Sequence, residues 1–199
     1  VTSRLQSDTK TRILETAYGL FYKKGFAGVS VDAIANASGI TKRSLYYHFT
    51  SKDQIVAEVL DHQRAFTLEQ IKTWSGTAST TSEMFVLKLF ENLALWATNK
   101  KWLGSGFTRI SLELADRPGH PARASAKIHK AEIEMWFAQE FTRLRVHSPA
   151  VLARQMMILV EGCMTLILIH EDTSYAEDAA RSAVELVSAK NPFPSDATI

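Results

Sequence analysis

The sequence predicts an all-α chain: a small N-terminal head of short helices, a long fourth helix, and a larger C-terminal helical body, about nine helices in all. Three observations carry this. Only 9 Gly and 5 Pro occur in 199 residues, fewer than strand-and-turn architectures use. Ala, Leu, Glu and Lys, all good helix formers, are abundant. Apolar residues recur at three- and four-residue spacing between well-formed capping signals. Hydrophobic residues make up 46% and charged residues 22%, enough apolar surface for a sizeable core and against global disorder. Cys163 is the one cysteine, which excludes an internal disulfide framework and a Cys-clustered metal site. The opening Val-Thr-Ser-Arg-Leu-Gln has no signal-like apolar block. The longest apolar stretch, Met156 to Ile169, is 14 residues interrupted by Glu161, short of the ~20 that span a bilayer. The expectation is a soluble, cytoplasmic protein with no membrane partner.

The elements follow in order. Asp8 or Thr9 opens the first helix, with Ile13, Leu14, Ala17, Leu20 and Phe21 on its apolar face. Lys23 and Lys24 suit its C-terminal dipole, and Gly25 supplies the left-handed stop. Ser30 caps a short second helix, with Asp32 in its first turn and Val29 and Ile34 as a hydrophobic staple. Ser38-Gly39-Ile40 makes a tight turn. Thr41 caps the third helix, stapled by Ile40 and Leu45. Ser51-Lys52-Asp53-Gln54 is a capping box for the fourth, which runs about 22 residues, ~33 Å, to Trp74.

Two short helices joined by a three-residue glycine turn, behind a longer supporting helix, have helix-turn-helix spacing. Residues 1–52 carry eight Lys/Arg against three acids, whereas the remainder has 15 basic and 18 acidic residues. A basic quarter on a mildly acidic body points to a polyanionic partner. On the third helix only Leu45 faces inward. Lys42, Arg43, Ser44, Tyr46, Tyr47 and His48 crowd long or hydrogen-bonding groups into two turns, as a helix entering a major groove requires.

Thr11-Arg12-Ile13-Leu14-Glu15-Thr16-Ala17, Leu20-Phe21 and Lys24-Gly25-Phe26 resemble the start of the TetR family of bacterial transcriptional regulators. So do Ser30-Val31-Asp32-Ala33-Ile34-Ala35, the run Gly39 to Phe49, and Ser51-Lys52; the resemblance covers about Thr11 to Leu60. It implies residues 1–52 as a DNA-binding domain, 53–190 as a ligand-binding and dimerisation domain, and a loose tail at 191–199. It implies that Thr41, Lys42, Arg43, Ser44 and Tyr47 meet base edges of a double-stranded operator. Ser30, Tyr46, His48 and Lys52 would hold phosphates, helped by N–H groups at the starts of the second and fourth helices.

In the body, Thr80 to Glu83 forms a capping box for a fifth helix through Trp96. Phe107 to Ala115 is a short apolar helix, and Pro121 starts a helix to about Arg143. Ser148-Pro149 caps a helix to His170, and a Ser174–Glu177 capping box opens the last, ending near Lys190. Gly106-Phe107-Thr108-Arg109 with Leu112 to Asp116 and Gly119-His120-Pro121 also resembles effector domains of that family. By this resemblance the middle helices surround a small-molecule effector pocket and the last two pair in a homodimer. Candidate pocket residues are Phe66, Phe85, Phe90, Trp96, Phe107, Arg109, Met135, Trp136, Met156 and Met164. Arg109 is expected to bind an effector anion or, in preference, to pair with Glu113 one turn later. Glu161, costly if buried alone, should find a partner at the subunit interface or mark the polar end of the pocket. Cys163 reads as a packed thiol. The expected dimer interface is Val160, Met164 and Ile167 with Ala179, Ala183, Leu186 and Val187.

Neither enzyme nor metalloprotein is expected, and no cofactor: Glu58 and His62 are four apart rather than at di-iron spacing, and no Gly-rich phosphate loop is present. The expected function is a dimeric repressor of a palindromic operator, released by an effector. The alternative is a DNA-binding protein of the same fold with no effector.

Overall fold

A computed structural model describes residues 2–75 and 79–189, with side chains from Asp8 onward. The expected tail at 191–199 and part of the 75–82 loop lie outside these residues. The described residues form nine α-helices: α1 (Thr2–Lys24), α2 (Val31–Ala37), α3 (Lys42–His48), α4 (Lys52–Trp74), α5 (Ser82–Ala97), α6 (Gly106–Glu113), α7 (Pro121–Arg143), α8 (Pro149–His170) and α9 (Ser174–Ala189). α1 starts six residues before the expected Asp8. Nothing in Thr2–Ser7 breaks a helix, so a good capping residue inside the run did not become its end.

The head's caps form as expected. Ser30 Oγ accepts the Ala33 N–H at 3.1 Å and Thr41 Oγ1 the Ser44 N–H at 3.1 Å. Such caps each stabilise a helix by ~1 kcal/mol. The box at α4 closes differently. Ser51 Oγ accepts the Gln54 N–H, but Gln54 Oε1 takes the N–H and hydroxyl of Thr50 rather than the Ser51 N–H. In the body three caps differ from expectation. Thr81, not Thr80, caps α5 through the Met84 N–H. Ser148 has φ +56° and makes no side-chain cap, so Pro149 at the first helical position begins α8. Ser174 is already helical, its N–H held by Asp172 Oδ1 at 2.8 Å.

The chain divides into two compact units that do not follow the linear partition at residue 52. One comprises Val1–Phe66 with Ser105–His129, the other Thr67–Gly104 with Lys130–Ile199. The first unit has one buried core. Phe107, Ile110 and Leu114 of α6, with Ala122 and Ala126 of α7, belong to the same cluster as Phe21, Ile34, Leu45, Phe49 and Leu60. In the second unit α9 packs against α5 and α8 around Phe85, Phe90, Phe137, Phe141, Met156 and Val187.

α8 is 22 residues long and apolar enough to cross a membrane by length and composition. Leu152, Ala153, Met156, Met157, Val160, Cys163, Met164 and Ile167 are buried in the second unit's core, the pattern of a core helix. Six of the seven residues expected at a dimer interface, namely Val160, Met164, Ile167, Ala179, Ala183 and Val187, are thus buried within the chain itself; Leu186 is half-buried. The apolar face inferred from periodicity was the intramolecular one. Glu161 likewise finds its partner inside the chain, Lys130 Nζ at 2.5 Å.

Candidate nucleic-acid interface

α3 is held on one side only. Leu45 is fully buried and Phe49 closes the helix, while Lys42, Arg43, Tyr46 and Tyr47 are exposed and Ser44 and His48 half-buried. Tyr47 is 77% exposed, its ring edge-on to His48, so it contributes nothing to the core. Gly39, at φ +66°, makes the turn that brings α3 out from α2.

The structure distinguishes the expected DNA-contacting groups by what they already hold. Arg43 makes no hydrogen bond or ion pair among the described residues. Lys42 Nζ sits 3.0 Å from Asp32 Oδ2, joining the first turns of α2 and α3, and that hydrogen bond and charge raise its pKa. Thr41 and Ser30 use their oxygens as caps, leaving each hydroxyl hydrogen to donate. Lys52 Nζ lies 4.1 Å from the centre of the Phe26 ring, and partial burial lowers its pKa. These intramolecular partners were not legible from helical spacing. Asp32 and Lys42 are ten residues apart on different helices, and Phe26 lies in a turn.

Lys52→Met keeps the apolar stem over Phe26 and removes the charge. Weaker binding to every DNA sequence alike, with the salt slope flatter by about one unit, is expected for a phosphate contact. An unchanged slope with a lower melting temperature would assign Lys52 to the Phe26 contact alone.

Behind this surface, α6 is fastened to the end of α1. Arg109 donates to the Tyr22 carbonyl at 2.7 Å and lies over the Tyr22 ring, and Glu113 accepts the Ala27 N–H at 3.1 Å. Arg109 is thus held by the end of α1 rather than by Glu113, a cation at a helix C-terminus being favoured by both a carbonyl and the dipole. Gly25 suits this point because its φ is +74°; a Cβ there would also press on the Glu113 carboxylate, which would have to shift. A second fastening joins the first turn of α4 to the α6–α7 turn. Asp53 accepts from Arg117 at 2.5 Å and faces His120 Nε2 at 3.2 Å, while His120 Nδ1 accepts the Ala122 N–H.

Burial raises the Asp53 pKa, but the hydrogen bond and charge of Arg117, with His120 beside them, outweigh it and hold the carboxyl below its usual value. A depressed carboxyl pKa contributes stability that is present above the unfolded value and lost as pH falls through the folded one. Asp53→Asn should therefore lower the melting temperature at pH 7, and the two proteins' melting temperatures should converge once the pH is low enough to protonate the Asp53 carboxyl in the folded state. A constant difference down to that pH would remove the ion pair from the account.

The expected pocket residues are divided between the two units. Phe66, 63% exposed, Phe107, stacked on His129 at 3.8 Å, and Arg109 belong to the first unit. Phe85, Phe90, Trp136, Met156 and Met164 are core residues of the second, Trp96 is half-buried against them, and Met135 is 56% exposed. Within the second unit a cleft of about 640 Å³ opens between α5 and α9, lined by Phe90 but by none of the other nine. Burial pushes the Cys163 thiol up to about 11, which keeps it protonated and poorly nucleophilic.

Residues 13–59 match the family described as bacterial regulatory proteins, tetR family. The HTH-type transcriptional regulator YjdC of Escherichia coli is 24% identical over 179 residues, covering 88% of this chain and 91% of that protein. The Staphylococcus aureus HTH-type negative transcriptional regulator of the biofilm operon, IcaR, is 48% identical over 46 residues, 23% of this chain and 25% of its own. Among solved structures, a tetR-type transcriptional regulator of Streptomyces avermitilis superposes with a TM-score of 0.78 at 26% identity, covering 90% of this chain and 98% of the other.

Proposed function

Because the chain belongs to the tetR family of bacterial regulatory proteins and is a helix-turn-helix transcriptional regulator, we propose that it is a cytoplasmic, homodimeric repressor of a palindromic operator, released by a small-molecule effector. The observation that carries the reading is the outer face of α3: Arg43 unpaired among the described residues, Tyr46 and Tyr47 exposed, and Leu45 the residue of the helix that is buried. In this reading Thr41, Lys42, Arg43, Ser44 and Tyr47 meet bases, and Ser30, Tyr46, His48 and Lys52 meet phosphates. A protonated thiol at Cys163 supports non-covalent effector binding over thiol chemistry. The dimer face is the exposed side of α8, where Val151, Ile158 and Ile169 stand more than half exposed.

Selection of DNA sequences from a random pool by the purified protein tests the proposal. The expected result is an inverted repeat with half-site centres about one helical turn, or a multiple of it, apart, bound by two chains or a multiple of two. Repression of a reporter carrying that sequence upstream of its start site is the second expected result. A single asymmetric site, or activation of the reporter, would overturn it. Effector release adds a reciprocal requirement: a metabolite that weakens DNA binding by some factor must itself bind more weakly, by the same factor, when operator is present.

A further inference from the structure

The cleft between α5 and α9 belongs to the second unit, and its chemistry is specific enough to name an occupant. Its inner surface is apolar, with Phe90, Ala176 and Ala180 buried and Leu87 and Leu95 left 47% and 62% exposed at its rim. At about 640 Å³ it lies in the size range of small-molecule sites. Two carboxylates, Glu91 of α5 and Glu177 of α9, line the same space. Neither takes a hydrogen bond or ion pair among the described residues. Arg181, the one cation among the described lining residues, already has its guanidinium on Asp178. The cleft therefore offers apolar area to one part of a ligand and a net negative charge to another. An anion would meet two carboxylates with no free cation. A neutral apolar molecule would cover Leu87 and Leu95 while taking water from Glu91 and Glu177 without return. A cation with an apolar body answers both features at once.

We propose that the α5–α9 cleft binds a lipophilic organic cation, its apolar part against Phe90, Leu87 and Leu95 and its charge facing Glu91 and Glu177. The binding claim stands on the cleft alone; its effect on DNA rests on the effector-release reading above, and the two can fail separately.

Titration calorimetry of the intact protein with tetraphenylphosphonium, and with tetraphenylborate as its equally bulky anionic counterpart, tests the site. One phosphonium per chain is expected, with no measurable borate binding. Glu91→Gln and Glu177→Gln preserve shape and are exposed, so both variants should fold; each should weaken phosphonium binding by roughly threefold to fivefold, and the double variant by more than either alone. Equal affinity for the two ions, or an affinity indifferent to both substitutions, would overturn the proposal. So would phosphonium binding that disappears as the protein associates at high concentration, because the occupant of the cleft would then be a second chain. A parallel titration of the selected operator duplex separates the two claims. Phosphonium binding that is sensitive to the glutamates but leaves operator affinity unchanged supports the cleft and defeats its use as an effector site. Operator release by phosphonium that persists in the double variant keeps the gating reading and overturns this one.

Discussion

Ile158→Glu should convert the protein to a folded monomer and lower its affinity for the selected operator by about 10² to 10⁴. The argument begins with position on α8. Val151, Ile158, Gly162, Thr165 and Ile169 recur at intervals of seven, four, three and four, a single stripe along the helix. Val151, Ile158 and Ile169 are 55%, 67% and 65% exposed, and a Cβ on Gly162 would meet nothing within 4 Å. Three exposed apolar side chains with a smooth point among them at Gly162 are what a second α8 could cover. A twofold pairing buries each residue against its counterpart, so one glutamate per chain places two carboxylates in the contact. Each head alone then binds a half-site without the gain from tethering. Val160→Glu and Ala183→Glu are the informative contrasts. Val160 is 7% exposed and Ala183 fully buried inside the second unit. Charge there should unfold that unit, a loss of helical signal rather than a clean change in mass. Monomers from Val160→Glu with full helicity, or dimers from Ile158→Glu, would reverse the assignment of the two faces.

That contrast also marks where sequence reasoning reaches and where it stops. Helix positions in the head were legible because local chemistry determines them: Ser30 and Thr41 each cap a helix through a donor three residues on. The outward set on α3 was legible for a similar reason, since Leu45 alone in two turns suits the interior. Contacts made across the chain were not. Glu113 reaches Ala27 across 86 residues and Arg109 reaches Tyr22 across 87, and no periodicity in α6 anticipates that its partner is the end of α1. The same holds for α8, which is apolar on most of its circumference. Met156, Val160, Met164 and Ile167 have helical spacing, but so do Val151, Ile158 and Ile169, and the pattern alone cannot assign one face to the core and the other to a partner. Hydrophobic periodicity counts faces; the tertiary neighbours decide what each face meets.

Arg43→Ala should weaken binding to the selected operator by ~1–3 kcal/mol, roughly fivefold to 150-fold, and weaken binding to random duplex DNA far less. Arg43 lies in the first turn of α3, where a side chain can reach base edges as the helix enters the groove. It is exposed and holds no partner among the described residues, so its guanidinium can form the two-pronged contact that guanine O6 and N7 accept without first breaking a bond to one of them. Lys42, beside it, starts from a different position. Its ammonium is on Asp32 at 3.0 Å, and a base contact must either break that pair or share the ammonium. Lys42→Ala should therefore cost the operator less than Arg43→Ala. Asp32→Asn should tighten binding to all sequences modestly at low salt, because it removes a negative charge near the phosphates and frees Lys42. Competition binding with operator, single-base variants and random duplex, each at two salt concentrations, separates these effects. Equal losses for Arg43→Ala on operator and random DNA would make Arg43 a phosphate contact. A larger specificity loss in Lys42→Ala than in Arg43→Ala would mean that the Asp32 pair holds Lys42 ready for its base rather than away from it.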